Sequence, residues 1–405
     1  MSVSVFFDVR QLSTVGTKYY SCRNAILSTR VNSKDNSLNI QWVRTMDMDD
    51  ALAAALSDAF PDRSVERLTS VGPSWNGANE TVGVVFSDGA RAFCKVAVDG
   101  DGRRIARERA VLRYVSEERP LVAPEVLAAD PDAAVPYLIT APAPGQELSE
   151  VWEAVGDESL GAEPVSDSIA GEVIRGTSGD AARTALLRRV GATLATLHAE
   201  RFETAGEIVD LDATADGRVA LAIEAAPWPD VLLATIDRTR EIGTSERLAS
   251  HYDAVIDCVE ANRDRLRDAP AALLHGDIAM PNLFVTQGGV DGPEGDAGPD
   301  GVVPIDWELA HVGDPVRDLV RAEDQLLNGF DTVGPERFSE ALYAGYRERA
   351  GGLPLGFDDR RSIYWVVRML GRSGFVDQWS TYLDEPTASL VERADAELEA
   401  RLGAV

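Results

Sequence analysis

Asp277, Asn282 and Asp306 are residues whose types and spacing could do chemistry. They lie in Leu274-His275-Gly276-Asp277-Ile278-Ala279-Met280-Pro281-Asn282-Leu283-Phe284-Val285 and, after a loop, in Val303-Pro304-Ile305-Asp306-Trp307-Glu308. Two carboxylates and an amide stand here among short apolar runs. One carboxylate five residues before an amide, with a second closing the next apolar run, supplies the parts that phosphoryl transfer needs. A carboxylate would receive the proton of an acceptor hydroxyl, and an amide and a carboxylate would hold magnesium.

A lysine adds a second argument. After residue 45 the chain has 33 basic residues, and only Lys95 among them is not arginine. It sits in the apolar run Phe93-Cys94-Lys95-Val96-Ala97. A compact ammonium with rotatable donors suits a bridge between phosphates and a carboxylate. The bland reading is a strand lysine reaching solvent along its stem. A partner carboxylate is found by periodicity. In the helix expected over 103–116, Ile105, Leu112 and Val115 share one face with Glu108, and a charge on an apolar stripe needs a counter-charge. Glu108 as a boundary residue paired with Arg104 is the alternative.

The elements that must position these groups begin with a helix expected over 49–60. Strands are expected over 65–71, 81–86 and 92–98, with Ser87-Asp88-Gly89 turning the second hairpin. The first hairpin closes through Gly72-Pro73-Ser74-Trp75-Asn76-Gly77-Ala78-Asn79, where glycine could let backbone amides approach a phosphate, or which is an ordinary hairpin loop. Apolar strands are expected over 120–128 and 137–140. The Pro- and Gly-bearing run 141–148 reads as a connector. Beyond it the pattern is helical: 180–199, ending at His198 as a core histidine; much of 230–268, with His251 on a solvated face; and about four helices over 315–402, broken near Gly329, Gly351 and Pro386. Residues 154–180 and 287–301 are acidic and rich in Gly, and read as surface loops.

Composition bounds the rest. The net charge is −28 over 405 residues. The acidic residues are spread along the chain, which reads as adaptation to a salty cytoplasm, as in haloarchaea, with attraction of a cationic ligand as the second reading. Nucleic acid is a poor partner for such a surface. No run is long and apolar enough to span a membrane, so a cytoplasmic location is expected. Cys22, Cys94 and Cys258 are widely spaced and give neither a disulfide framework nor a zinc site. Residues 1–45 differ from the rest of the chain, with six Lys or Arg against two acidic residues. They are expected to be a start-site extension or a disordered tail.

Taken together, these residues resemble the aminoglycoside phosphotransferase and choline kinase family, over roughly residues 60–345. His275-Gly276-Asp277 with Asn282 is similar to that family's catalytic loop. Ile305-Asp306-Trp307-Glu308-Leu309-Ala310, with Gly313-Asp314-Pro315 and Asp318-Leu319, is similar to its metal-binding segment and following helix. Asn79-Glu80-Thr81 and Leu197-His198 match further family patterns.

The resemblance implies an α+β, two-lobed protein-kinase-like fold. Residues 46–140 would form a nucleotide-binding lobe of antiparallel sheet plus helix, 141–148 the connector, and 149–405 a mainly helical catalytic and substrate-binding lobe. It implies transfer of the γ-phosphate of ATP, with Mg2+, to a hydroxyl of a small molecule. Asp277 would be catalytic. Lys95, oriented by Glu108, would hold the inner phosphates, with Gly77, Asn79, Thr140 and Ala141 on the nucleotide. Asn282 and Asp306 would ligate the metal, and Glu308 would assist. His275 would support the loop, and Asp314 and Asp318 would tie it to the helix or reach the substrate. The run Ile278-Ala279-Met280 departs from the family's usual residues and leaves the acceptor open, as do Tyr343, Tyr346, Tyr364 and Trp365, which read as either pocket or core. Two alternatives compete: a kinase-fold binding protein without turnover, and a hydrolase using His275 and Asp277, against which no Gly-x-Ser-x-Gly elbow is found.

Overall fold

The computed structural model describes residues 48–70, 79–155, 179–214, 216–286, 301–329, 333–383 and 385–405. The segment 1–45, Cys22, the Gly77 loop and most of the 154–180 and 287–301 insertions lie outside the described residues.

The amino-terminal part is a five-stranded antiparallel sheet in the order Val65–Ser70, Asn79–Phe86, Arg91–Ala97, Tyr137–Thr140, Val126–Asp130. Alternation places Val84, Phe86, Ala92, Cys94, Val96 and Ile139 in one core with Ala51, Leu52 and Ala55 of the helix Met48–Ala59. The helix Arg103–Glu118 buries Ile105, Val111, Leu112 and Val115 in a second core. That core extends to Ile208, Leu221, Trp307 and Val312 beyond the connector. This helix therefore joins the sheet to the segment carrying Asp306, and a displaced helix would move both.

The remainder is mainly helical around a third core. Its first long helix, Gly179–Leu197, packs on Glu336–Ala350. Two small sheets carry the chemistry-bearing turns. Leu283–Val285 lies between Val302–Pro304 and Gln146–Glu147. In the other, His311–Gly313 lies between Ala272–Leu274 and the hairpin Gly206–Ala213/Val219–Ala225. The loop 275–282 thus leaves one sheet and enters the other. Among the described residues no helix is long and apolar enough to cross a membrane.

Several expectations need correction. The strand expected at 120–128 forms at Val126–Asp130, since Pro120 and Pro124 lack the N–H a ladder needs. The hairpin Gly206–Ala225 was not expected. Its strands bury one face only, yet the Asp216-Gly217 turn, with Gly217 at φ 84°, is a hairpin signal that could have found it. Among the described residues the carboxy-terminal region holds six helices where about four were expected, because short pieces at Leu370–Ser373 and Val376–Leu383 break the run. His251 is buried, with Nε2 2.8 Å from Asp395 Oδ1. Tyr343, Tyr346 and Tyr364 belong to the core, as their helical spacing favoured, and Trp365 packs at its edge under Arg401.

Candidate active site

On the sheet side, Lys95 projects from the strand Arg91–Ala97, whose flanking residues Cys94 and Val96 are fully buried. Its Nζ lies 2.5 Å from Glu108 Oε2 and 2.6 Å from Asp306 Oδ1, with Glu308 Oε2 at 3.5 Å. The helix of Glu108 and the turn of Asp306 and Glu308, far apart in sequence, meet on one ammonium. Glu108 also accepts from the Trp307 amide at 3.3 Å. Glu308 accepts from Asn79 Nδ2 at 2.6 Å and from Arg104 at 3.0 Å. Burial alone would lower the Lys95 pKa. The charges of Asp306, Glu108 and Glu308 outweigh it and hold the pKa well above its usual value. Glu108 is pushed up to about 7 by burial, against the pull of Lys95 and helped by the neighbouring carboxylates.

Asp306 has φ 64°, the only positive φ of a non-glycine among the described residues. A left-handed aspartate costs of order 1 kcal/mol or more and persists only where surroundings hold it. Here the pull of Lys95 on its side chain and the burial of Trp307 immediately after it do so.

On the loop side, Asp277 is held by three donors. Oδ1 accepts from Arg321 at 2.8 Å and from Gln325 at 2.6 Å, and Oδ2 accepts from Asn282 Nδ2 at 3.1 Å. Burial works against its charge, but Arg321 and Gln325 outweigh burial and keep its carboxyl below the usual range. Arg321 and Gln325 stand on the helix Pro315–Leu327. Asp314 caps that helix by accepting from the Val316 amide at 3.0 Å, with Pro315 at its first position. The spacing 318, 321, 325 puts three side chains on one helix face. The first of them, Asp318, accepts from the His275 and Gly276 amides at 2.8 and 2.9 Å and ties the loop down. Gly276 has φ 79°, and a Cβ there would meet the Leu309 carbonyl oxygen at 2.4 Å. His275 Nε2 donates to the Ile305 carbonyl at 3.0 Å, and Nδ1 accepts from the Asp277 amide at 3.2 Å. Burial lowers its pKa, so the imidazole is a neutral spacer between the two motifs.

The model of the phosphotransferase enzyme family (APH) matches residues 73–363, the greater part of the chain. The chain belongs to that family. It is a small-molecule kinase. Among solved structures, a thermostable mutant of aminoglycoside phosphotransferase APH(4)-Ia is 15% identical with a TM-score of 0.54, covering 85% of this chain and 97% of that one. A structure described as a "putative fructosamine-3-kinase" from Thermobifida fusca YX-ER1 is 19% identical with a TM-score of 0.50, at 86% and 98% coverage. The GDP and kanamycin complex of APH(2")-IIia is 12% identical with a TM-score of 0.51, at 87% and 98% coverage. These likenesses give the fold, a two-lobed kinase-like one. No curated protein matches the sequence.

In this phosphotransferase Lys95, Glu108 and Asp306 are brought together by direct contacts, Asn79 joins them through Glu308, and Asp277 and Asn282 form a second group. The two groups adjoin through the backbone, where the Ile305 amide donates to the Asn282 carbonyl at 2.9 Å. Thr140 and Ala141 sit at the strand end beside Phe93 and Val126. The Ala141 amide is committed to the Glu125 carbonyl at 2.9 Å, so it is not free to donate elsewhere. Sequence reading missed Arg321 and Gln325. Their signal was available in the spacing from Asp318, and was obscured because arginine is the generic cation of this chain.

Magnesium is implied by the fold family, and the donors present suit it. Oxygens of Glu108, Asp306 and Glu308 lie within 4.8 Å of one another. Three carboxylates face two cations, Lys95 and Arg104, leaving negative charge in excess. Hard oxygen donors with excess charge fit a divalent cation of this kind. The Asn282 amide nitrogen is spent on Asp277, so its oxygen is the atom left for the metal side.

Proposed function

We propose that this phosphotransferase moves the terminal phosphoryl group of ATP to a hydroxyl of a small molecule, with magnesium, in the cytoplasm. The observation that carries the reading is the double contact of Lys95 with Glu108 and Asp306, adjoining the loop of Asp277. Residues 46–140 then serve as the nucleotide lobe, 141–148 as connector and 149–405 as the catalytic and acceptor lobe.

The acceptor oxygen forms a bond to the terminal phosphorus as the bond from phosphorus to the bridging oxygen breaks, and ADP leaves. The acceptor proton goes to Asp277. Oδ1 already accepts twice, so Oδ2 is the atom with room. A carboxylate held below its usual pKa is a weak base. That suits a loose transition state, in which charge builds late on the acceptor and orientation does most of the work. Lys95 neutralises phosphate oxygens, and Glu108 keeps its ammonium aimed. Magnesium, when bound, supplies further charge neutralisation on the phosphates, with Asp306, Asn282 and Glu308 as the oxygens that would hold it.

The solved neighbours are named for aminoglycosides and fructosamine, and the acceptor here is a hydroxyl compound of that general size. ATP turnover against a panel of hydroxylated metabolites, at high salt with magnesium, tests the reading. Asp277→Ala should lower the rate by about 10²–10⁴. Equal background rates in both proteins would sink it.

A further inference from the structure

The carboxy-terminal ends of the helices Gly179–Leu197 and Glu336–Ala350 meet around a cavity of about 270 Å³, lined by His198, Arg201, Tyr346, Arg349 and small residues. Among the described residues no carboxylate lines it, in a chain of net charge −28. We propose that this cavity binds a small multivalent anion, a polycarboxylate or a phosphate compound, and that its occupancy is felt at the catalytic loop.

Its two guanidiniums are available. Most described arginines form ion pairs, but among the described residues Arg201 makes no ion pair or hydrogen bond, and Arg349 only donates Nε to Thr196 Oγ1 at 3.1 Å. The acids beside them in sequence are turned elsewhere. Glu200 accepts from Tyr114 at 2.9 Å and from Arg119, and Glu348 pairs with Arg188. Two unpaired guanidiniums over a concave, carboxylate-free surface suit an anion with more than one charge.

A continuous path leads inward. His198 Nε2 lies 3.4 Å from Asp318 Oδ2. On the other side of the ring, Nδ1 shares a hydrogen bond with the Tyr346 hydroxyl at 3.2 Å. The same Asp318 holds the His275 and Gly276 amides. The Tyr346 hydroxyl has one proton. An anion drawn in by Arg201 and Arg349 competes with His198 for that hydroxyl and breaks the Tyr346–His198 contact. That gives the network two arrangements, with the loop of Asp277 attached to one end.

The binding stands apart from the phosphotransfer reading; only an effect on turnover rests on it. The full chain is titrated calorimetrically with citrate and, separately, inorganic phosphate at fixed KCl. The proteins compared are wild type, Arg201→Gln/Arg349→Gln and Lys95→Met. Wild type and Lys95→Met should bind at least one of the two anions alike, and that anion names the class. The double variant should bind it about tenfold more weakly or worse, through lost charged hydrogen bonds. Amide exchange at His275 and Gly276 should change on binding in wild type and not in the double variant. No binding of either anion, or equal affinity in the double variant, overturns the site; in that case the arginines serve the helix ends alone. Loss of binding in Lys95→Met overturns it too, placing the anion at the nucleotide side. Binding without any change in exchange overturns the coupling. If no acceptor supports turnover, the phosphotransfer reading fails while these results keep their meaning.

Discussion

Lys95 shows how far a single residue can be read. Its rarity in an arginine-using chain and the apolar stripe under Glu108 pointed to a buried pair, and the two side chains meet at 2.5 Å. What the residues could not reveal was the third partner, because nothing in local sequence says that Asp306 will adopt a left-handed backbone and turn toward Lys95. His311 was likewise illegible. It lies buried 5.8 Å from the Trp228 ring, stacked, and Arg317 reaches its Nε2. Burial, with Arg317 second, depresses its pKa to about 3. The unfolded chain therefore binds the proton between about pH 6.5 and 3 while the folded one does not, so stability is full above pH 6.5 and falls as pH drops through that window. His311→Gln should unfold less steeply than wild type as pH falls from 7 to 4 in denaturant titrations, by an amount of order a few kcal/mol. Parallel pH profiles would show that His311 is not a source of acid sensitivity.

At the scale of elements, most helices and the central strands were legible, since each carries its own period. The elements that were not, such as the hairpin Gly206–Ala225 and the short helices after Leu370, are those whose place is set by neighbours. The packing of Gly179–Leu197 on Glu336–Ala350 is of this kind. A Cβ at Gly345 would stand 1.9 Å from the Arg188 carbonyl oxygen, and one at Gly191 would stand 2.0 Å from that of Leu342. Backbone meets backbone, and neither atom can swing aside as a side chain could. Gly345→Ala should cost about 1–3 kcal/mol of stability through overpacking, measured by urea unfolding. Because Tyr346 comes directly after it, the same variant should also loosen amide exchange at His275. Wild-type stability with wild-type exchange would mean that the two helices separate freely and position nothing.

For the whole molecule the question is what a net charge of −28 does, and the site gives a partial answer. Asp277 is flanked by Arg321 and is within electrostatic reach of Arg368, so the excess of acid is locally offset around this carboxylate. The consequence of that excess is for the fold. Ion pairs such as Arg63–Asp88 at 2.8 Å and Arg347–Glu340 at 2.9 Å are in contact, well inside the Debye length of about 10 Å at 0.1 M salt. Repulsion among the unpaired acids acts over longer distances and is screened first. Exposed pairs contribute only about 0–1 kcal/mol each, so what salt removes from them is smaller than the repulsion it relieves. The melting temperature should therefore rise between about 0.1 and 2 M KCl. The exposed Glu241, Asp257 and Asp268 are in no ion pair among the described residues, so Glu241→Gln/Asp257→Asn/Asp268→Asn should raise the low-salt melting temperature and flatten the slope. A melting temperature that falls with salt, or a triple variant with an unchanged slope, would show that contact pairs and not long-range repulsion govern stability.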